Sequence, residues 1–204
     1  ETRGDLPVPV ERMFRDVRIN MIFEGSSEIM RLFIAREALD PHLKRGAAAM
    51  NTKLPTGKRV SAGMKAAGFY AGWYPKQLIP GGAQGVGQMD GELRGYANYA
   101  TKTARKLARS MFHAMAKHQA ALEKQGVLLA RLVEIGAEIF AIAAVVSRTQ
   151  FLIEKGTPRK ELMPLVKFFV EETKLRIDAN FRGLTRNNDK IGYKLAQSVA
   201  GGTY

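Results

Sequence analysis

The chain has no cysteine. Disulfides, thiolate nucleophiles and cysteine-based metal sites are excluded, and the absence suits a reducing compartment. It has no run of about 20 apolar residues, the length a membrane-spanning helix needs. The longest apolar-rich stretch, Ile135 to Val146, contains Glu138 and is too short. It has no initial methionine and no signal-peptide pattern, and Glu1-Thr2-Arg3-Gly4-Asp5 reads as the interior of a longer protein. Histidine is scarce. His42, His113 and His118 are the whole set, and none pairs with a carboxylate at metal-ligand spacing, so no metal is expected. The glycines at 81, 82, 85 and 87 follow no strand and precede no Lys-Ser/Thr, so they make no phosphate-binding loop. Between Pro41 and Met89 there is no acidic residue at all.

That last absence gives the charge its shape. The 204 residues carry a net charge of +13, and the acid-free segment holds Lys44, Arg45, Lys53, Lys58, Arg59, Lys65 and Lys76. Such a segment suits an anionic partner: a membrane surface, a nucleic acid or an acidic protein. No nucleic-acid-binding motif accompanies the charge, and nucleic acid is not expected. Lys58, Arg59 and Lys65 lie near Phe69, Tyr70, Trp73 and Tyr74. Basic residues beside interfacial aromatics suit peripheral attachment to anionic lipid, with Lys58, Arg59, Lys65 and Trp73 as the contacts. A solvated linker whose aromatics pack on the helices fits the same residues. Lys102, Arg105, Lys106 and Arg109 form a second basic stripe, read as a solvated face or an extension of the lipid-facing one.

Apolar periodicity predicts helices and no alternating strand pattern. Val10, Met13, Phe14 and Val17 mark a helix over 10–20, with Pro9 at its start. Ser26 or Ser27 caps a second helix running to about Leu43. From Gly46 to Gly91 the glycine-rich texture predicts a linker or amphipathic insert, with one irregular helix over 58–74. Long helices are expected over 93–124 and 127–155, with Gly126 as the stop between them. Gly156-Thr157-Pro158 should act as C-cap, N-cap and first helical residue before a helix over 161–181, and a short helix over 190–199 closes the chain. The fold class is all-α, an up-and-down bundle with a flexible basic linker between two helical segments. The expected divisions are 1–46, 47–92 and 93–204.

Phe23-Glu24-Gly25-Ser26-Ser27-Glu28 carries the strongest chemical suggestion. Glu24 stands between the apolar run Met21-Ile22-Phe23 and a small-residue turn that opens a helix. Desolvation on an apolar wall raises a carboxylate's pKa and makes it a proton acceptor near neutral pH. The Gly-Ser-Ser turn would offer backbone N–H groups to an anionic or carbonyl group. A base beside such a cradle is what proton abstraction next to a carbonyl requires. Taken alone, a Glu-Gly pair is weak, and residue chemistry by itself favours a surface carboxylate ahead of a helix cap.

The flanking residues add a resemblance. Pro9-Val10-Glu11-Arg12-Met13-Phe14-Arg15-Asp16-Val17-Arg18-Ile19, then Ile22 to Ile29, then Arg31-Leu32-Phe33-Ile34-Ala35-Arg36-Glu37, resembles the end of the acyl-CoA dehydrogenase catalytic region. This covers roughly the first fifth of the chain. The rest is similar, more loosely, to the extra C-terminal helical region of the very-long-chain branch, on Leu129-Ala130-Arg131-Leu132, Val145-Val146-Ser147-Arg148 and helix order.

The resemblance implies an FAD-dependent α,β-dehydrogenation of long-chain acyl-CoA in fatty-acid β-oxidation. Glu24 would take the α-proton, Gly25 would lie against the substrate, and Ser26, Ser27 and Glu28 would contact FAD. Ser26 stands where many relatives have Thr, keeping the hydroxyl. The β-hydride would pass to the flavin, and electrons would leave to an electron-transfer flavoprotein. A homodimer is implied, in the bacterial cytoplasm or mitochondrial matrix, with peripheral contact to the inner membrane. Most of the flavin and acyl pockets would lie in parts absent from this chain, so the fragment alone should be inactive. The alternative is a non-catalytic helical module for dimerisation and membrane attachment.

Overall fold

The computed structural model describes residues 9–23, 25–79, 81–83 and 88–203. Among them are seven α-helices, one 3₁₀ turn and no strand: α1 (Val10–Ile19), α2 (Ser27–Met50), α3 (Thr56–Lys76), α4 (Gly91–His118), the 3₁₀ turn (Gln119–Lys124), α5 (Gly126–Glu154), α6 (Arg159–Gly183) and α7 (Asp189–Ala200). The all-α expectation holds.

The sequence of α5 is apolar on several faces, and its position explains why. It packs against α4, α6 and α2, while α2 in turn packs against α3. Two cores result. In one, Leu93, Tyr96 and Ala100 of α4 meet Ile135, Ile142 and Val146 of α5 and Met163, Val166, Val170 and Ile177 of α6. The α4 and α6 residues recur at i, i+3 and i+7, the spacing of a single helix face. In the other, Ala35 and Leu39 of α2 meet Ala114, Leu122, Leu129 and Leu132.

Polar groups fix the ends. The Asp90 carboxylate caps α4 by accepting from the backbone N–H of Glu92 at 3.0 Å and of Leu93 at 3.4 Å. Arg159, the first residue of α6, donates to Asp90 at 2.8 Å and to Glu92 at 2.9 Å, so the starts of α4 and α6 are joined. The Arg159 hydrogen bond holds the Asp90 carboxyl below its ordinary pKa. At the far end Arg131 forms a two-pronged ion pair with Asp189, at 2.5 and 2.8 Å, tying the start of α7 to α5.

Several boundaries differ from expectation, each for a physical reason. The second helix does not stop near Leu43 but continues to Met50, because Ala47-Ala48-Ala49 are strong helix formers and this end packs on α3. The expected irregular helix over 58–74 is a continuous one from Thr56 to Lys76. Pro158 is the N-cap of α6, not its first helical residue. Gly126 opens α5 instead of ending the helix before it. Three members of the basic stripe on α4 are engaged, while Lys102 is exposed. Arg105 donates to the carbonyl of Ile79, Arg109 donates to that of Gln77, and the Lys106 ammonium sits 3.9 Å from the Phe181 ring centroid. The two arginines hold the carbonyls that follow α3, the role basic side chains play at helix C-termini. A Cβ on Gly82 would fall 2.7 Å from Asn98 Oδ1, which itself accepts from the Ala83 N–H at 2.8 Å.

The helix expected over 93–124 breaks at Gln119, whose backbone has φ 48° and ψ −128°. The 3₁₀ turn that follows buries Leu122 in the second core, so tertiary packing overrides helix propensity there. A side chain rarely adopts that conformation, and glycine does so without steric cost. Gln119→Gly is expected to stabilise the chain by about 1 kcal/mol, read as a higher urea midpoint with an unchanged slope. A lower midpoint would mean the break is unstrained.

Candidate functional site

The turn between α1 and α2 is built by the end of one helix and the start of the next. After α1 the chain stays wound for a few residues, with the Phe23 N–H donating to the Ile19 carbonyl at 2.9 Å. It then reverses through Gly25, at φ +105°. That positive φ is what favours glycine there; a Cβ would also lie 2.7 Å from Met30 Sδ, and that flexible side chain would have to yield. The Ser27 N–H closes the turn onto the Met21 carbonyl at 3.3 Å, and Ser26 accepts the first bond of α2 from the Met30 N–H at 2.9 Å. The Ser26 side chain makes no capping bond to the helix it precedes. Its hydroxyl is therefore not spent on capping, and a hydroxyl at a helix start is a group that can meet a polar or anionic partner.

Glu24, the candidate base, lies outside the described residues. Gly25, Ser26 and Ser27 are half-buried and Glu28 is exposed. Glu28 lies 4.0 Å from Arg31, whose guanidinium also pairs with Glu134 of α5. This pair joins the turn's own helix to the second half of the chain, a contact that sequence spacing does not reveal. The surrounding apolar residues are open. Val10, Met13, Phe14 and Val17 on α1, and Met21, Ile22 and Phe23 after it, each expose more than half their area.

The second candidate surface is the α2–α3 hairpin. Lys58 and Lys65 are exposed on α3. Arg59 is half-buried, with Nε 3.4 Å from the Ala49 carbonyl near the end of α2. Trp73 does not stand out from the surface as a membrane anchor would. Its ring packs edge-on against His42 at 5.1 Å and at a tilt against Phe112 at 6.1 Å. His42 Nδ1 is 3.0 Å from the Tyr70 hydroxyl, and His113 Nε2 is 2.9 Å from that of Tyr74. Burial, and then Arg45, lower the pKa of His42. The aromatics near the basic residues are thus largely spent on binding α3 to α2 and α4.

A cleft of about 410 Å³ opens between α2, α4 and α5, with Ile34, Leu39, Met111, Leu132 and Phe140 among its apolar walls. It contains no titratable group. No helix among the described residues is long and apolar enough to cross a membrane.

Comparison with known proteins gives a consistent picture. The family described as ACAD9/ACADV, C-terminal domain, matches residues 91–203, and that described as acyl-CoA dehydrogenase, C-terminal domain, matches residues 4–39. The probable acyl-CoA dehydrogenase FadE10 of Mycobacterium tuberculosis is 42% identical over 99% of this chain and 31% of its own length. The very long-chain specific acyl-CoA dehydrogenase of human mitochondria is 28% identical over 73% of this chain and 22% of its own. Among solved structures, an acyl-CoA dehydrogenase from Bacillus anthracis complexed with FAD superimposes with a TM-score of 0.53 at 25% identity, over 93% of this chain and 29% of that one. The chain thus spans less than a third of the length of these relatives.

Proposed function

We propose, from the premise that this chain belongs to the acyl-CoA dehydrogenase family, that it forms the C-terminal part of an FAD-dependent enzyme that desaturates long-chain acyl-CoA. The observation that carries the reading is the order of the two family matches, 4–39 and then 91–203. Within the first stands the sharp turn at Gly25 that exposes the opening of α2. In this reading residues 1–46 end the catalytic helical domain, 47–92 form an insert that contains α3, and 93–204 form a C-terminal helical unit.

The resemblance to the family assigns the roles of the turn residues, and the chemistry of the turn is compatible with them. Glu24 removes the proton α to the thioester carbonyl. Gly25 lets the backbone approach the thioester where a side chain would crowd it. The Ser26 and Ser27 hydroxyls and Glu28 bind the polar part of the flavin nucleotide. Bound FAD supplies the acceptor for the β-hydride. Acyl-CoA is the substrate, an electron-transfer flavoprotein the electron acceptor, and the working form a homodimer. The test is the full-length protein. It should purify with FAD and bleach its flavin absorbance on addition of palmitoyl-CoA. A full-length protein that binds no flavin would refute the reading.

A second reading concerns where the enzyme works, in the cytoplasm of a bacterium or in a mitochondrial matrix. Lys58, Lys65 and Lys76 recur along one side of α3 and are exposed, while Val60 and Met64, which expose 56% and 67% of their area, lie on the other. A row of exposed cations with no acid on the same helix favours peripheral attachment to an anionic membrane surface. Its contacts are Lys58 and Lys65, with Arg59 and Trp73 supporting the helix from its inner side.

A further inference from the structure

Arg31 stands where α2 meets α5. It lies one helical turn before Ala35 on the stripe by which the two helices pack, and Ala35 and Leu39 of that stripe are buried with Leu129 and Leu132 of α5. Glu134 falls between the buried residues Leu132 and Ile135, so the packing of α5 sets its place. The Arg31 Nε–H donates to Glu134 Oε1 at 2.5 Å, and Nη2 pairs with the same oxygen. One edge of the guanidinium is therefore occupied by α5. The two side chains are 36% and 35% exposed, so each is partly withdrawn from water.

Glu28 competes for the same cation. It stands in the first turn of α2, three residues before Arg31, and residues three apart share a helix face. Its Oε1 lies 4.0 Å from Arg31 Nη1, beyond hydrogen-bonding distance, and its side chain is 77% exposed. An ionised carboxylate only accepts hydrogen bonds, so on a nucleotide it suits a hydroxyl and not a phosphate. Arg31 drawn fully onto Glu28 would use up that acceptor. A half-buried guanidinium deprived of its partner turns to another carboxylate, and Glu28 is already within reach.

We propose that Glu134 is a positioning residue for the turn that opens α2: by holding Arg31 against α5, it keeps the Glu28 carboxylate free for a hydroxyl of the flavin nucleotide. This role rests on the proposed reading of Glu28 as a flavin contact. It gives the C-terminal helical unit a part in cofactor binding, because Arg31 lies in the first family match and Glu134 in the second.

The test measures the FAD affinity of the full-length enzyme, read as flavin fluorescence released on dilution, in variants with unchanged helical circular dichroism. Glu28→Gln should weaken FAD through loss of a direct contact. Glu134→Ala should weaken it about fivefold, the effect of drawing Glu28 into an exposed ion pair. The double variant R31A/E134A removes the competing cation as well and should restore affinity to within about twofold of the parent enzyme. In the E28Q background, Glu134→Ala should add nothing. A mere structural brace gives a different pattern, with E134A and R31A/E134A impaired alike, and that pattern overturns the proposal. So does unchanged affinity in E134A when E28Q is weakened, which leaves the proposed function standing. If the parent binds FAD and E28Q binds it equally well, the contact assigned to Glu28 fails and the role of Glu134 with it. A parent enzyme that binds no flavin removes both this role and the reading beneath it.

Discussion

Glu24→Gln in the intact enzyme should lower kcat by on the order of 10⁴-fold while leaving FAD bound. Glutamine keeps the volume and one hydrogen-bonding oxygen but cannot accept a proton at neutral pH. If α-proton removal limits the reaction, the loss corresponds to about 5.5 kcal/mol of barrier. The flavin should stay, because its proposed contacts here are Ser26, Ser27 and Glu28, beyond the residue changed. KM should move little, since in the proposed reading the acyl chain and CoA are held mainly by parts outside this chain. The measurement pairs turnover of palmitoyl-CoA with the visible flavin spectrum. Retained turnover would place the base at another residue, and loss of flavin together with turnover would make Glu24 a structural residue. The exposed state of Met21, Ile22 and Phe23 bears on this result. An apolar wall raises a carboxylate's pKa only when water is kept from it. In this chain the wall is open, so in the proposed role the desolvation of Glu24 would have to come from the remainder of the enzyme.

Periodic features were readable from the sequence and contacts between helices were not. The face Val10, Met13, Phe14, Val17 located α1 within a residue at its C-terminal end, and Gly156 marked the break before α6 through a positive φ of 93°. Gly46 misled, because a single glycine lowers helix stability by only about 1 kcal/mol and the alanines after it restore the preference. The stripe on α4 misled for a different reason. Lys102, Arg105, Lys106 and Arg109 share a helix face by spacing, but the partners of Arg105, Arg109 and Lys106, at Ile79, Gln77 and Phe181, belong to segments far along the chain. The α2–α3 hairpin divides in the same way. Lys58, Ser61 and Lys65 show the spacing of one helix face, whereas Arg45 comes beside them only because α2 runs past Pro41 to Met50 and packs against α3. At the turn proposed as catalytic the motif is a feature of the sequence, while the Arg31–Glu134 pair that links its helix to α5 needed the folded chain.

Two substitutions on α5 separate what its uniformly apolar sequence leaves undivided. Ile142→Ala should destabilise the chain by about 4 kcal/mol. Ile142 is fully buried and belongs to the cluster that joins α4, α5 and α6. Its truncation removes transfer free energy and leaves a cavity that three long helices cannot close without shifting together. For a chain of this length the loss corresponds to a fall of roughly 10 °C in Tm. Phe140→Ala, two residues away, removes a larger side chain. Because Phe140 is 74% exposed at the rim of the apolar cleft, stability should change by no more than about 0.5 kcal/mol. Size alone predicts the opposite order, since phenylalanine carries more apolar area than isoleucine. Urea unfolding of both variants of the isolated chain decides between them. If Phe140→Ala proves the costlier, α5 is rotated from the orientation described, and the assignment of its inner face to α4 and α6 fails with it.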